Sequence, residues 1–389
     1  MKIKLRKMFS LSNTEHVFEG RSNASLRCES LILSILSKKM VAKSLILLSI
    51  FAKRLKIFRD FPGKLLVKRF FSHNSIDELK EISTQNFHNR ILSCILPVSN
   101  GNGSTVNLLS DLANDKYNIP GLEFLFLNVD DYLEPRILSL VSNDGFLNQV
   151  DKKAFQSFTD YVDTLCEIAS RNNKSIILYT ANFAGFSAIH AIAIDLMQRY
   201  NTQKVTVFLL FHLCHLNSQN RIVDLVRRGS SQGFTPGIAI AKYLTTEYVN
   251  KKFVDNSHND SSCHGFNQTK RVFYEVTKFL LNNIDHVSAL LISHNPDNIL
   301  YLTSLMEGCG VGYSNKNVTF LQRYGMAKSL TLNLANRGYN VATIIPHGNL
   351  TDTLRWMHRL YGFDPSLPNI FTEQRFAILR ELNRRKLEN

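Results

Sequence analysis

The chain has 389 residues, 44% of them apolar, enough for one large domain or two ordinary ones around a real core. Lys and Arg number 46 against 32 Asp and Glu, a formal charge of +14, yet residues 1–70 hold 16 basic and 4 acidic side chains, net +12, which leaves 30 − 28 = +2 for residues 71–389. A nearly neutral body argues against a polyanion-binding surface spread over the molecule, so no nucleic-acid partner is expected.

The N-terminal stretch reads as an address more than a fold. Lys2, Lys4, Arg6 and Lys7 lie among Ile3, Leu5, Met8 and Phe9, ahead of the first acidic residue, Glu15. That is the pattern of a mitochondrial presequence, with an uncleaved basic tail as the alternative. The apolar run from Ser44 to Ala52 falls short of the about 18–20 residues of a membrane span. With Lys38, Lys39, Lys43, Lys53, Arg54 and Lys56 around it, the run suits an amphipathic helix that lies on an anionic membrane or packs on the protein. Residues 1–70 are therefore expected to be a basic helical extension, and residues 71–389 a single domain. Six cysteines (28, 94, 166, 214, 263 and 309) are spread without a CxxC pair, which points to a reducing compartment, and Cys94 and Cys166 fall in core-like apolar stretches.

From residue 90 onward, β-branched or aromatic runs alternate with amphipathic helical runs, the mark of parallel βα units. Strands are expected at Arg90–Val98, Leu122–Val129, Ser175–Thr180, Lys204–His212, Gly237–Leu244, Ala289–His294, Val318–Gln322 and Tyr339–Ile345. Between and after them lie helical runs at Ala154–Arg171, Gly185–Tyr200, Gln219–Arg228, Asn267–Asn283, Asn298–Glu307, Ala327–Arg337 and Leu350–Leu360. A doubly wound open sheet shares this alternation. Eight strands in about 270 residues favour an α/β fold of the (β/α)8 barrel type.

In a barrel the chemistry sits at the C-terminal strand ends. The rim there is polar without spelling a catalytic set. Asp130 and Asp131 are adjacent, so on a strand they face opposite sides, and helix-start charges are the simpler reading. His212 and Cys214 share one face while His215 takes the other, with no carboxylate near, so packing is favoured over a metal site and no metal is expected. His258, Asp260, Cys263 and His264 form a loose polar-loop cluster. Asn100 to Ser104 lacks the GxGxxG order, and Gly308 to Gly312 follows a helix and reads as its stop.

Residues 288–389 carry a family likeness. Ile292-Ser293-His294-Asn295, Phe320 through Met326, Asn333 to Gly338, and Ile345-Pro346-His347-Gly348 with Leu354 and Arg359 resemble proline dehydrogenase. Glu373-Gln374-Arg375 to Arg384-Arg385 is similar to the tail helix of the eukaryotic, mitochondrial form, here expected over residues 370–389. Phe158 to Leu196 and the segment Lys68 to His73 resemble further parts of that family, so the likeness spans about residues 65–389.

The resemblance implies a distorted (β/α)8 barrel holding FAD at its mouth. It implies oxidation of L-proline, or a related cyclic amino acid, to pyrroline-5-carboxylate, with electrons passed to a quinone. It also implies a mitochondrial location on the matrix side of the inner membrane, with peripheral membrane contact. His294, Asn295, Gln322, Gly325 and Met326 match positions around the flavin. On the substrate side Arg359 is retained, and Lys242 and Tyr324 are the other residues expected to act. The sequence departs from the family at Ala239 (a strand Lys), Asn182 (an acid), Ile344 (a Tyr) and Leu360 (the second Arg of a pair). Two readings follow: a dehydrogenase whose carboxylate clamp has moved to Lys242 or Arg323, or a catalytically inactive relative with a binding or regulatory role.

Overall fold

The computed structural model describes residues 15–54, 69–73, 75–98, 104–180, 183–242, 264–363 and 367–388. Three helices come first: α1 (Glu15–Phe18), α2 (Asn23–Leu36) and α3 (Lys39–Arg54). A short strand β1 (Ser72–His73) and helix α4 (Ile76–His88) lead into β2 (Ile91–Pro97) and α5 (Ser104–Ala113). Next come β3 (Leu122–Asn128), α6 (Pro135–Ser142), α7 (Gln149–Arg171), β4 (Ser175–Tyr179), α8 (Phe186–Tyr200), β5 (Val207–His212), α9 (Ser218–Gln232) and β6 (Gly237–Ala241). The chain continues through α10 (Phe266–Asn282), β7 (Ser288–Ile292), α11 (Pro296–Gly308), β8 (Val318–Arg323), α12 (Lys328–Asn336) and β9 (Val341–Gly348). Helices α13 (Leu350–Phe363) and α14 (Leu367–Glu388) close the described chain.

Every strand pair is parallel, and β9 pairs with both β2 and β8, so β2 to β9 close into an eight-stranded barrel with helices outside. Each expected strand is present within three residues of its expected ends. The pattern is legible because barrel strands are covered on both faces and so read as near-continuous apolar runs. Strand alternation splits the core in two. On β7, Leu290 and Ile292 fill the interior while Ala289 and Leu291 meet the helix layer. Inside, Phe124 and Phe208 meet edge-on at 6.1 Å opposite the small side chains of Ala239, Ala241 and Ala342. Cys94 and Cys166 are fully buried, as expected. Gly310, with φ +71°, ends α11 by supplying the left-handed conformation there.

The reading of the N-terminal stretch as more address than fold needs correction for residues 15–54. Leu26, Leu33 and Leu36 on α2 and Ala42 and Ile46 on α3 are wholly buried. Helix α2 packs on the tail helix α14, and α3 packs on α13. The Tyr361 hydroxyl, on α13, donates to the Leu36 carbonyl at 2.6 Å. The apolar positions recur at helical spacing, but the basic side chains on the opposite face dominate the composition and hide them. Residues 1–14 lie outside the described residues.

Candidate active site

The C-terminal ends of the strands form one mouth, and five side chains define it. Residues Val129–Asp131 make a 3-10 turn directly after β3, so Asp130 and Asp131 lie on a tight turn, neither on the strand nor at the start of an α-helix. Asp130 accepts a hydrogen bond from the Thr180 hydroxyl at 2.6 Å, which ties the ends of β3 and β4 together. Asp131 is pushed up to about 6, first by burial and then by Asp130, against the lowering pull of the Asn128 side chain and the Arg359 charge. Tyr179, the last residue of β4, packs edge-on to Phe126 at 5.6 Å. Burial drives its phenol well above the ordinary range, the two aspartates add to that, and Arg359 and Arg323 oppose it. Both guanidiniums therefore act on the same corner of the mouth as the two carboxylates.

Arg323 reaches that corner by register. It ends β8 beside Ile344 on β9, one turn of alternation after Leu321 and Ala342, which both fill the interior. The side chain is buried, and its guanidinium lies 6.0 Å from the centre of the Trp356 ring. Its backbone N–H donates to His294 Nε2 at 2.6 Å. That bond requires a bare Nε2, so the ring is neutral with its proton on Nδ1. Burial and the nearby Arg323 charge both hold the His294 imidazolium well below its usual range. Asn295 caps α11, its side-chain oxygen accepting from the Asn298 N–H at 3.0 Å, which leaves the amide NH2 as a free-facing donor at an exposed position.

The expected site residues separate into two groups. Arg359, His294 and Asn295 belong to the mouth. Lys242 does not: it follows the interior residue Ala241, so alternation turns it outward. There its ammonium donates to Asn298 Oδ1 at 2.7 Å and lies over the Phe273 and Tyr274 rings at 4.7 and 5.4 Å. Burial, with Lys270 adding, brings it down to about 8. Tyr324 also faces away, its phenol raised by burial and then by Glu78 and Glu81 of α4. Gln322 shares the outer face of β8 with Phe320, fully buried, with neither amide atom hydrogen bonded among the described residues. Gly325 adopts φ +74° against the Arg69 carbonyl, where a Cβ would come within 2.0 Å, and Met326 is part of the outer core. Gln322 and Met326 thus pack on the outer side of the barrel and Gly325 fits the β8–α12 turn against Arg69; none of the three is on the interior face.

Among the family departures, Ala239 lies in the interior and offers no charge, while Leu360 is buried in the outer core, one step round α13 from exposed Arg359. Asn182 and most of the His258 to His264 cluster lie outside the described residues, His264 excepted. The His212 ring turns into the interior against Phe183 at 5.6 Å, whereas His215 packs on Phe183 and Phe186 outside it. Sequence reasoning read Asp131 as a helix-start charge and did not single out Tyr179. Both stand at strand ends, but only barrel closure brings them to the two arginines.

This geometry matches what comparison with known proteins finds. A family model described as proline dehydrogenase matches residues 75–360. Proline dehydrogenase 1, mitochondrial, of Dictyostelium discoideum is 24% identical over 289 residues, covering 71% of this chain and 48% of that protein. The human protein of the same name is 22% identical over 204 residues, covering 51% of this chain and 34% of its own length. Hydroxyproline dehydrogenase of Xenopus laevis is 19% identical over 246 residues, covering 62% and 53%. The chain thus spans between a third and about half of the length of these relatives. Among solved structures, proline utilization A from Bdellovibrio bacteriovorus, inactivated by N-propargylglycine, superposes with a TM-score of 0.66 at 12% identity, covering 93% of this chain and 40% of that one. The matched model takes in the whole barrel from α4 to α13, mouth included, and the chain belongs to the proline dehydrogenase family.

Proposed function

We propose that the chain is a mitochondrial, FAD-dependent dehydrogenase that oxidises L-proline or a close cyclic relative to pyrroline-5-carboxylate and passes the electrons to a quinone at the matrix side of the inner membrane. The observation that carries this reading is that Arg323, buried at the interior end of β8, and Arg359 of α13 both act electrostatically on Tyr179 at the mouth of a family barrel. A substrate carboxylate wants such donors, because charge-assisted bonds to a fork of N–H groups are both strong and oriented. The clamp keeps Arg359 on α13 and takes its second arm from β8 in place of the position now held by Leu360.

The mouth also suits a flavin. His294 presents an Nδ1–H donor and Asn295 an amide NH2 side by side at the end of β7, the kind of neutral donors that hold ring carbonyls. Bound there, a flavin would supply the two-electron chemistry that removes hydride from C5 of the substrate ring. The chain's own part is to seat the carboxylate on Arg323 and Arg359, to close the floor with Trp356 and Tyr179, and to keep His294 neutral by committing its Nε2. Peripheral membrane contact is supported by the outer face of α2 and α3, which exposes Leu31, Met40, Leu47, Leu48 and Phe51 beside Lys38, Lys39 and Lys43. No helix among the described residues is long and apolar enough to cross a membrane.

A second reading, an inactive relative with a binding role, is favoured by Ala239 and Ile344, which replace a charged and a hydroxylated side chain by apolar ones inside the barrel. The visible absorption spectrum of the purified protein, followed by anaerobic addition of proline with a quinone analogue, separates the two. A yellow protein that bleaches with proline and reduces the quinone supports the dehydrogenase. A colourless, proline-inert protein overturns it and leaves the inactive relative.

A further inference from the structure

Between α2, α4, α12 and Arg69 of the segment before β1 lies a cavity of about 450 Å³, on the outer side of the β8 end that carries Arg323. Its walls carry Arg21, Arg69 and Lys328 against a single carboxylate, Glu29. Glu29 already bridges the two arginines, and among the described residues no carboxylate lies within ion-pairing distance of Lys328. Three cations less one acid leave a local charge of +2. The guanidinium of Arg323, whose residue also lines the cavity, is accounted for by Trp356 on the interior side. A further donor waits at the wall: Asn86 Nδ2 is buried with no hydrogen-bond acceptor among the described residues. Buried donors without acceptors are uncommon in native proteins, and the excess positive charge around the recess favours an anion there. The Lys328 side chain is exposed, and its ammonium is lowered first by burial and then by Arg21 and Arg69, with Glu29 opposing.

We propose that this cavity binds a phosphomonoester, its phosphoryl group held by Lys328, Arg21, Arg69 and the Asn86 amide. A phosphoryl dianion carries about −1.5 to −2 at neutral pH and offers three strong acceptor oxygens, which matches the excess charge and the donor set. The volume is of ligand size and exceeds what inorganic phosphate needs. Ile32, Ile91 and Leu332 lie among polar side chains such as Gln85, Asn89 and Thr331 on the rest of the wall, so the group esterified to the phosphate meets both apolar and polar surface. The site is independent of the redox reading, because none of its cations other than Arg323 belongs to the mouth. Its wall does include Tyr324 and Gly325, the turn that follows Arg323, so an occupant would brace the strand end that supplies the second clamp arm.

Calorimetric titration of the full chain with inorganic phosphate, phenyl phosphate and malonate, each against chloride at equal ionic strength, tests this. Phenyl phosphate is expected to bind saturably and more tightly than inorganic phosphate, and malonate more weakly than either. Lys328→Met should weaken phenyl phosphate by about tenfold or more, the scale of one charge-assisted bond. Because Lys328 is exposed and makes no ion pair among the described residues, that variant should fold as the parent does. Glu29→Gln should tighten binding by removing the competing carboxylate, and the Lys328→Met result stands if that second variant fails to fold. Absence of saturable binding, equal affinity in Lys328→Met, or a preference for malonate would overturn the proposal.

Discussion

At the scale of single residues, the mouth is a balance of two guanidiniums and two carboxylates, and its weakest member is Asp131. Its folded-state pKa of about 6 lies above the ordinary 3.8, so the folded protein takes up a proton as pH falls through this window. Ionised Asp131 therefore costs stability above pH 6, and the cost fades as pH drops toward 4. The same ionised group competes with a substrate carboxylate for Arg359. Asp131→Asn is expected to raise the thermal midpoint more at pH 8 than at pH 5, and to lower the KM for proline several-fold at pH 8. In the parent, that KM should fall between pH 8 and pH 5.5; in the variant the trend should vanish. Arg323→Met should act oppositely, raising KM by about 10- to 100-fold for the loss of one charge-assisted bond at about 1.5–3 kcal/mol. A steady-state pH series on the three proteins checks both expectations. The sequence showed Asp131 and Arg323 close to strand ends and Arg359 on the last barrel helix. It could not show that Lys242 turns outward while Arg323 turns inward, because that depends on the strand's alternation and on where it stops. Ala241 in the interior fixes one and Leu321 the other.

Among elements, the most informative pairing is between the two ends of the described chain. Helix α2 lies along α14, and the contact is fastened by a buried charge: Glu381 is wholly buried and receives Arg384 Nη2 at 2.9 Å and Arg385 Nε at 2.7 Å. Arg385 also donates to the carbonyls of Phe18, at the end of α1, and Arg21, in the turn before α2, at 2.8 and 2.6 Å, and to the side-chain oxygen of Asn23, the first residue of α2, at 3.0 Å. Beneath these bonds Leu26, Leu33 and Leu36 are sealed against the tail, while Leu31 on the same helix is 69% exposed. Leu33→Ala should cost about 2–5 kcal/mol, the range for a large-to-small change in a close-packed core. Leu31→Ala should stay within about 0.5 kcal/mol, as for other surface positions. Chemical denaturation of the two variants distinguishes a folded element from an appended address, since an address would leave both unchanged. Composition misled here because +12 over residues 1–70 is a sum, and the fold reads positions. The barrel strands had no such ambiguity: runs such as Ile176 to Leu178 and Val207 to Phe211 admit no solvent-facing side.

For the whole molecule, the two faces of the N-terminal helices join the barrel to its surroundings. The inner face of α3, Ala42, Ile46 and Ser49, is buried against the body, and the outer face leaves Met40, Leu47, Leu48 and Phe51 at 75%, 50%, 58% and 57% exposure. Large apolar side chains scattered singly on a surface mean little, but these lie on one helix face with Leu31 on the neighbouring helix and Lys38, Lys39 and Lys43 at the junction. An aqueous protein gains nothing from that arrangement. An anionic bilayer rewards it twice, by taking up apolar area at roughly 25 cal/mol per Å² and by attracting each lysine with about 1 kcal/mol. On the reading proposed above, in which electrons pass to a lipid-soluble quinone, the barrel would be held at such a surface. The protein is expected to co-float with vesicles containing anionic lipid and to remain behind with neutral ones. Leu47→Glu together with Phe51→Glu should abolish flotation, since two charges would enter the acyl boundary. Lys38→Glu together with Lys39→Glu should weaken it and flatten its dependence on salt, because the apolar contribution survives when the electrostatic one is reversed. Flotation unaffected by the first pair would move the contact off this face. Flotation lost with the first pair while proline still reduces a water-soluble quinone analogue would show that the helices serve the acceptor and leave the mouth to the substrate.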